Sequence, residues 1–314
     1  MYLVAFSGMY TLLLPYKCRI SYDFCTLKLF KSCFEHSDMT DYIGGQALME
    51  GVMMASKNKV AMSVRKENGK IKTKVEKRSN ISEKFRKTIF LRGLVSLFEM
   101  LYIGTKALTW SSNESLEEEE QIGGWGMFFM LLFSFGLAIG LFIALPLWLS
   151  KFAAEERVWF NVVDGFWRIV LFVGYLWFIS RFKDVRRVFE YHGAEHKAVN
   201  CYEAGKALTI KNVKKFSRIH PRCGTSFIFI VLIISIILFS LVWSDSWILK
   251  FLYRLILIPV IASVSYEILR FNSRYPNKIT SFLTTPGLWL QKITTQEPDD
   301  KQLEVSIAAL KAAK

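Results

Sequence analysis

Four long apolar stretches constrain this chain more than any other feature. A hydrocarbon core ~30 Å thick takes about 20 residues of helix to cross. The first stretch runs from Trp125 to Leu149 and carries no charge. The second, Val163 to Ser180, has Asp164 and Arg168 near its outer edge. In the third, Ser226 to Trp243, the only polar residues are serines. The fourth, Trp247 to Leu269, has Lys250 and Arg254 in its first turns, where long side chains can snorkel to the interface. Trp125, Trp148, Trp159, Trp243 and Trp247 fall near the ends, as interfacial aromatics do. With 52% hydrophobic residues in 314, two soluble domains are the wrong picture. The expected fold is mainly α, a polytopic membrane protein of four transmembrane helices.

The net charge of +14 is therefore crowded onto a small polar remainder. No nucleic-acid module is present and no nucleic acid is expected, so anionic lipid headgroups are the fitting partner. Lys57 through Arg78 precedes the first span and is basic, as is Arg181–Arg222 between the second and third. The turn Ser244–Ser246 carries only Asp245. Lys/Arg asymmetry then puts both basic regions inside a bacterial cell (inner or plasma) membrane, N-in and C-in. Five sparse cysteines without a C-x-x-C pair indicate a reduced compartment and no disulfide framework.

The chain divides into six parts. Residues 1–38 form an extension that is apolar at its start but too short to span, and Met39 reads as an alternative start of translation. Residues 39–124 form a cytosolic and interfacial region. It holds a β-hairpin over Val60–Val75 around Asn68-Gly69. It also holds a helix over Phe85–Trp110, whose Arg92, Glu99 and Lys106 recur every seven residues and leave an apolar face for the interface. Glu117–Glu120 is an acidic linker. Residues 125–180 are spans one and two, 181–225 a cytosolic loop, 226–270 spans three and four, and 271–314 a cytosolic tail. In the loop a helix over Arg181–Ala204 stops at Gly205, and Asn212 is placed to cap a short helix reaching Arg218. In the tail a helix runs from Asp299 to Lys314.

Three of the four histidines lie between residues 192 and 220. His192-Gly193-Ala194-Glu195-His196 is an H-x-x-E-H pattern, the spacing of the inverzincin zinc motif. On a helix, positions i and i+4 share a face about 6 Å apart, close enough for two imidazoles to hold one ion. Glu195 is then the candidate catalytic base, acting on water. A third ligand must come from elsewhere. Glu203 projects onto the same stripe but sits about 10 Å further along the axis. His220 and Cys223, in His220-Pro221-Arg222-Cys223-Gly224, are better placed, and Glu50 or Glu267 are further candidates. The competing reading makes the cluster two interfacial histidines and a glutamate paired with Lys197, Arg186 or Arg187. Gly44–Met54 is a second constellation, in which Gln46 and Glu50 are isolated polar groups in an apolar, glycine-flanked run.

Gly44–Met54, Arg92-Gly93, HGAEHKAVNCYE at His192–Glu203, HPRCGTSF at His220–Phe227 and the segment Pro286–Leu310 together resemble the YqhQ family of bacterial membrane proteins. The resemblance runs from about residue 42 to the C-terminus. It implies a membrane protein described, on the same His/Glu pattern, as a metal-dependent enzyme, with no substrate attached. The leading expectation is a membrane-anchored zinc hydrolase at the cytosolic face, acting on a small-molecule, lipid or peptide substrate. A non-catalytic scaffold or regulator with a structural metal or hydrogen-bond cluster is the alternative. A transporter comes third, because spans one and three offer almost no polar groups.

Overall fold

The computed structural model describes residues 43–78, 85, 87–115, 124–153, 156–242, 244–274 and 278–314. The extension 1–38, the start at Met39, the linker Glu117–Glu120 and Trp243 lie outside the described residues.

Near the N-terminus, β1 (Gly44–Leu48), β2 (Gly51–Ala55), β3 (Lys59–Arg65) and β4 (Ile71–Lys77) form an antiparallel sheet in sequence order. The expected hairpin is β3–β4, with Arg65 opposite Ile71. The sheet is nevertheless larger than that hairpin. Gly44–Met54 forms a second one, with Leu48 opposite Gly51 around a Met49-Glu50 turn. Its signal was hidden because β2 is buried on both faces, so its sequence shows an apolar run instead of alternation.

On one face, Leu48, Met53, Val60 and Met62 pack against Ala107 and Trp110 of α1 (Leu91–Ser115). On the other, Val52, Met54 and Ala61 meet Tyr191, Ala194 and Ala198 of α5 (Lys183–Glu203) and Leu303 and Leu310 of α10 (Asp300–Ala313). The seven-residue charge stripe of α1 faces protein. Arg92 forks onto Glu267, buried Glu99 lies 3.4 Å from Arg78, and Lys106 reaches Glu76 at 2.6 Å. Phe98, Leu101 and Tyr102 are left exposed on its outer side.

Among the described residues, four helices are long and apolar enough to cross a membrane: Gly124–Phe152, Val158–Ile179, Gly224–Leu241 and Trp247–Phe271. The first comprises α2 (Gly124–Ile139), a π-helical turn (Gly140–Ala144) and α3 (Leu145–Ala153). The others belong to α4 (Arg157–Ile179), α7 (Gly224–Leu241) and α8 (Trp247–Arg274). Arg254 does not snorkel: it is 5% exposed and donates to Asp164 at 2.8 Å, inside the bundle.

Beyond Ile179 the chain breaks at Ser180–Phe182 before α5, which ends at Gly205 with φ +65°. The short α6 covers only Ile210–Val213, and its cap is Thr209, whose side chain accepts from the Asn212 N–H; Asn212 is not the cap. Sequence reading missed α9 (Lys278–Thr294), which contains Pro286 and packs along α7. Gly287 permits that approach, since a Cβ there would stand 2.6 Å from the Ser226 Cα. The expected tail helix is α10, begun by a capping box of Asp299 and Gln302.

Candidate functional site

His192 and His196 sit one turn apart on α5, with ring centroids 4.4 Å apart. Cys223 arrives from the other side as the N-cap of α7. One ligand atom from each of these three residues lies within 4.8 Å of the others. His192 Nε2 is 3.2 Å from Cys223 Sγ.

The outer nitrogens of the two rings are both held. His192 Nδ1 donates to the Thr294 carbonyl at 2.8 Å and His196 Nδ1 to the Arg218 carbonyl at 2.6 Å. A carbonyl can only accept, so each Nδ1 donates outward and each Nε2 is left to the inner side of the cluster. Backbone partners orient metal-ligating histidines in the same way. Burial also holds His196 below the ordinary imidazole value, favouring the neutral, ligating form. Cys223 Sγ accepts from the Thr225 N–H and hydroxyl, at 3.5 and 3.3 Å, at a helix N-terminus.

These carbonyls come from two segments that the sequence did not connect to the cluster. After α9, Thr294–Pro298 lies as a strap across α5, tied by the Gln296 N–H to the Phe189 carbonyl at 2.8 Å. Gly193 makes room for it, because a Cβ there would run into the Gln296 carbonyl oxygen. Arg218 precedes His220, and its guanidinium donates to the Thr295 carbonyl, locking loop and strap together.

Glu195 flanks the histidine face and is 6% exposed. It pairs with none of the cations that the competing reading assigned it. Lys197 meets Glu297 at 2.5 Å, Arg186 meets Glu190 at 3.6 Å, and Arg187 pairs with Glu50. Instead its carboxyl accepts from the Gly45 N–H on β1. Burial pushes its pKa up to about 7, against an opposing pull from His192 and that N–H. A Cβ on Gly45 would stand 2.8 Å from the carboxylate, so only glycine lets the strand approach it so closely.

Of the remaining candidates, His220 lies beside the triad, its ring centroid 5.7 Å from that of His196, and the others are held elsewhere. His220 turns Nε2 toward Glu203 at 3.3 Å, while its backbone N–H and carbonyl bind the Gln291 amide, both at 2.9 Å. Glu203 is further held by Arg222. Burial raises its pKa, but His220 and Arg222 outweigh that and hold it below the ordinary value. Glu50, at φ +49°, is clasped by Arg187 and by the Tyr191 hydroxyl at 3.2 Å. Gln46 packs its amide against Gly104 of α1, and Glu267 is held by Arg92.

A family model described as "Protein of unknown function (DUF1385)" matches residues 89–314. The chain belongs to the DUF1385 family. The DUF1385 match takes in the triad and Glu195, whereas Gly45, Gln46 and Glu50 precede it. The uncharacterized protein YqhQ of Bacillus subtilis (strain 168) is 36% identical over 287 residues, covering 84% of this chain and 89% of that protein. No solved structure matches.

Proposed function

We propose that this DUF1385 protein is a membrane-anchored, metal-dependent hydrolase working at the cytosolic membrane face. The observation that carries the reading is the convergence of His192 Nε2, His196 Nε2 and Cys223 Sγ, with both histidine tautomers set by backbone carbonyls. Two imidazoles and a thiolate suit zinc, and three protein ligands leave one position for water or substrate. Zinc so held lowers the pKa of water and polarises a carbonyl or phosphoryl oxygen. The chain's own contribution is Glu195, whose carboxylate oxygens take a proton from water and return it to the leaving group. Gly45 orients that carboxyl with its N–H, and the β1 strand and the strap keep bulk water off it. The four spans anchor the site, and Lys/Arg asymmetry puts it inside a bacterial cell membrane with both termini. Exposed Lys59 of β3 and Lys70 of the loop after it then face anionic headgroups, while Lys66, Lys72 and Lys74 are engaged by Glu114 and Glu76. A small molecule, lipid or peptide reaches the site from the cytosol or the inner leaflet.

A second reading, a non-catalytic scaffold with a structural metal, draws on the burial of His196 and Cys223 at 3% and 8% exposure. Metal analysis of detergent-purified protein separates the readings. We expect close to one metal per chain in wild type and in Glu195→Gln and His220→Ala, with loss of about tenfold or more in affinity in His196→Ala and Cys223→Ala. Metal-free wild type sinks both metal readings. Cobalt substitution then decides between them, because an open fourth position gives a spectrum that shifts with added anions and a closed shell does not.

A further inference from the structure

The far end of the bundle, where α3 leads to α4 and α7 to α8, holds a polar group that the hydrolase reading does not use. Asp164 on α4 accepts from Arg168 Nε at 2.9 Å and from Arg254 Nη1, on α8, at 2.8 Å. Their exposures are 3%, 3% and 5%. Both guanidiniums lie over one ring, Phe239 of α7, at 4.6 and 5.2 Å. Arg168 also donates to the Phe142 carbonyl at 3.0 Å, within the π-helical turn, and so has three of its N–H groups engaged.

The charges do not balance. One carboxylate stands against two guanidiniums, leaving a net positive charge among apolar helices, where an uncompensated ion is costly. Arg254 has five N–H donors, yet among the described residues it gives a hydrogen bond only to Asp164. Counted along the helices at ~1.5 Å per residue, Asp164 and Arg254 lie about 10 Å inside the far end. Two further cations stand between them and that end. Lys250, one turn before Arg254, lies 4.6 Å from the Phe160 ring, and Lys151 lies 5.6 Å from the Trp247 ring. Lys151 and Lys250, the latter also within the field of Asp245 in the turn at this end, therefore lead from the rim to a guanidinium with donors to spare.

We propose that Arg254, with Arg168 behind it and Lys250 and Lys151 at the rim, binds a phosphate-bearing anion entering from the far end of the bundle. The site is separate from the candidate hydrolase centre. Cys223 and Phe239 sit sixteen residues apart on α7, about 24 Å along its axis. A guanidinium meets phosphate with paired N–H donors, and the phosphate supplies the missing negative charge. The anion is either a lipid headgroup or free phosphate.

The test uses full-length protein in a neutral detergent. Its thermal unfolding is followed while phosphatidylglycerol, phosphatidylcholine or inorganic phosphate is titrated in. Phosphatidylglycerol is expected to raise Tm, and phosphatidylcholine is not. Stabilisation by inorganic phosphate as well marks free phosphate as sufficient; its absence assigns the lipid headgroup. Arg254→Leu leaves the neutral Asp164–Arg168 pair and should raise the concentration for half the shift about tenfold, the value of one charge-assisted contact. Asp164→Asn, which adds net positive charge, should lower it. Equal stabilisation by phosphatidylglycerol and phosphatidylcholine overturns the proposal, as does an unchanged response in Arg254→Leu. Should Arg254→Leu fail to fold, Asp164→Asn decides: an unchanged or weakened response to phosphatidylglycerol makes the triad a structural ion cluster. Metal content is expected to stay unchanged in both variants, which keeps this result independent of the hydrolase reading.

Discussion

Single atoms decide how the cluster is built. The rings of His192 and His196 are useful to a metal only because Thr294 and Arg218 hold their Nδ1 protons. Gly193 is the residue on which this arrangement depends most, since the strap bearing Thr294 passes where a side chain would be. Gly193→Ala is expected to cost about 1–3 kcal/mol, the usual penalty for overpacking, and to lower metal content with it. Thermal unfolding alongside metal analysis checks this. A variant with wild-type Tm and full metal would show that the strap does not matter. His220 illustrates the opposite lesson. Its place in the sequence made it as good a ligand as Cys223, but the Glu203 carboxylate and the Gln291 amide hold it instead.

At the scale of elements, the sheet is clamped between α1 and the α5–α10 pair, and the two sides are held differently. On the α5–α10 side the contact is an apolar core whose helix starts with the Asp299 capping box. Asp299→Ala should lower stability by about 1 kcal/mol, read by denaturant unfolding. On the α1 side, ion pairs supplement packing. Lys106 and Lys74 hold the Glu76 pKa below its ordinary 4.5 by hydrogen bonding. Burial raises that of Glu114, but Lys66 and Lys72 outweigh it and hold it below 4.5 as well. A carboxylate with a depressed folded pKa contributes stability that is full above its unfolded value and is lost as pH falls through the folded one. Docking of α1 should therefore weaken as pH drops below about 4.5, and less so in a Glu76→Gln/Glu114→Gln double variant. Hydrogen exchange of α1 amides as a function of pH measures it. Identical pH profiles for the two proteins would remove the ion pairs from the account.

For the whole molecule, the four apolar helices put the Asp245 turn at one end and the sheet, α5, α9 and α10 at the other. If these helices cross a membrane as Lys/Arg asymmetry directs, Asp245→Cys should react with an impermeant maleimide in intact cells. Lys314→Cys should react only after permeabilisation, with the native cysteines as background. The reverse pattern would invert the orientation and move the candidate site outside. The four stretches were legible because hydropathy is local and additive. So were the β3–β4 hairpin and α10, whose turn and cap signals lie within a few residues of one another.

What the chain's letters determined alone was its number of long apolar helices, its basic remainder and the helical pairing of His192 with His196. All of these follow from composition and period within one segment. Only the tertiary structure decided that β2 is a strand, that Cys223 brings a ligand atom within 4.8 Å of both histidines while His220 turns to Glu203, and that Arg254 turns inward to Asp164. Each is a contact between segments far apart in the chain. Burial on both faces erases the strand's alternation, and a third ligand or counter-ion is selected by distance in space, which residue spacing does not encode.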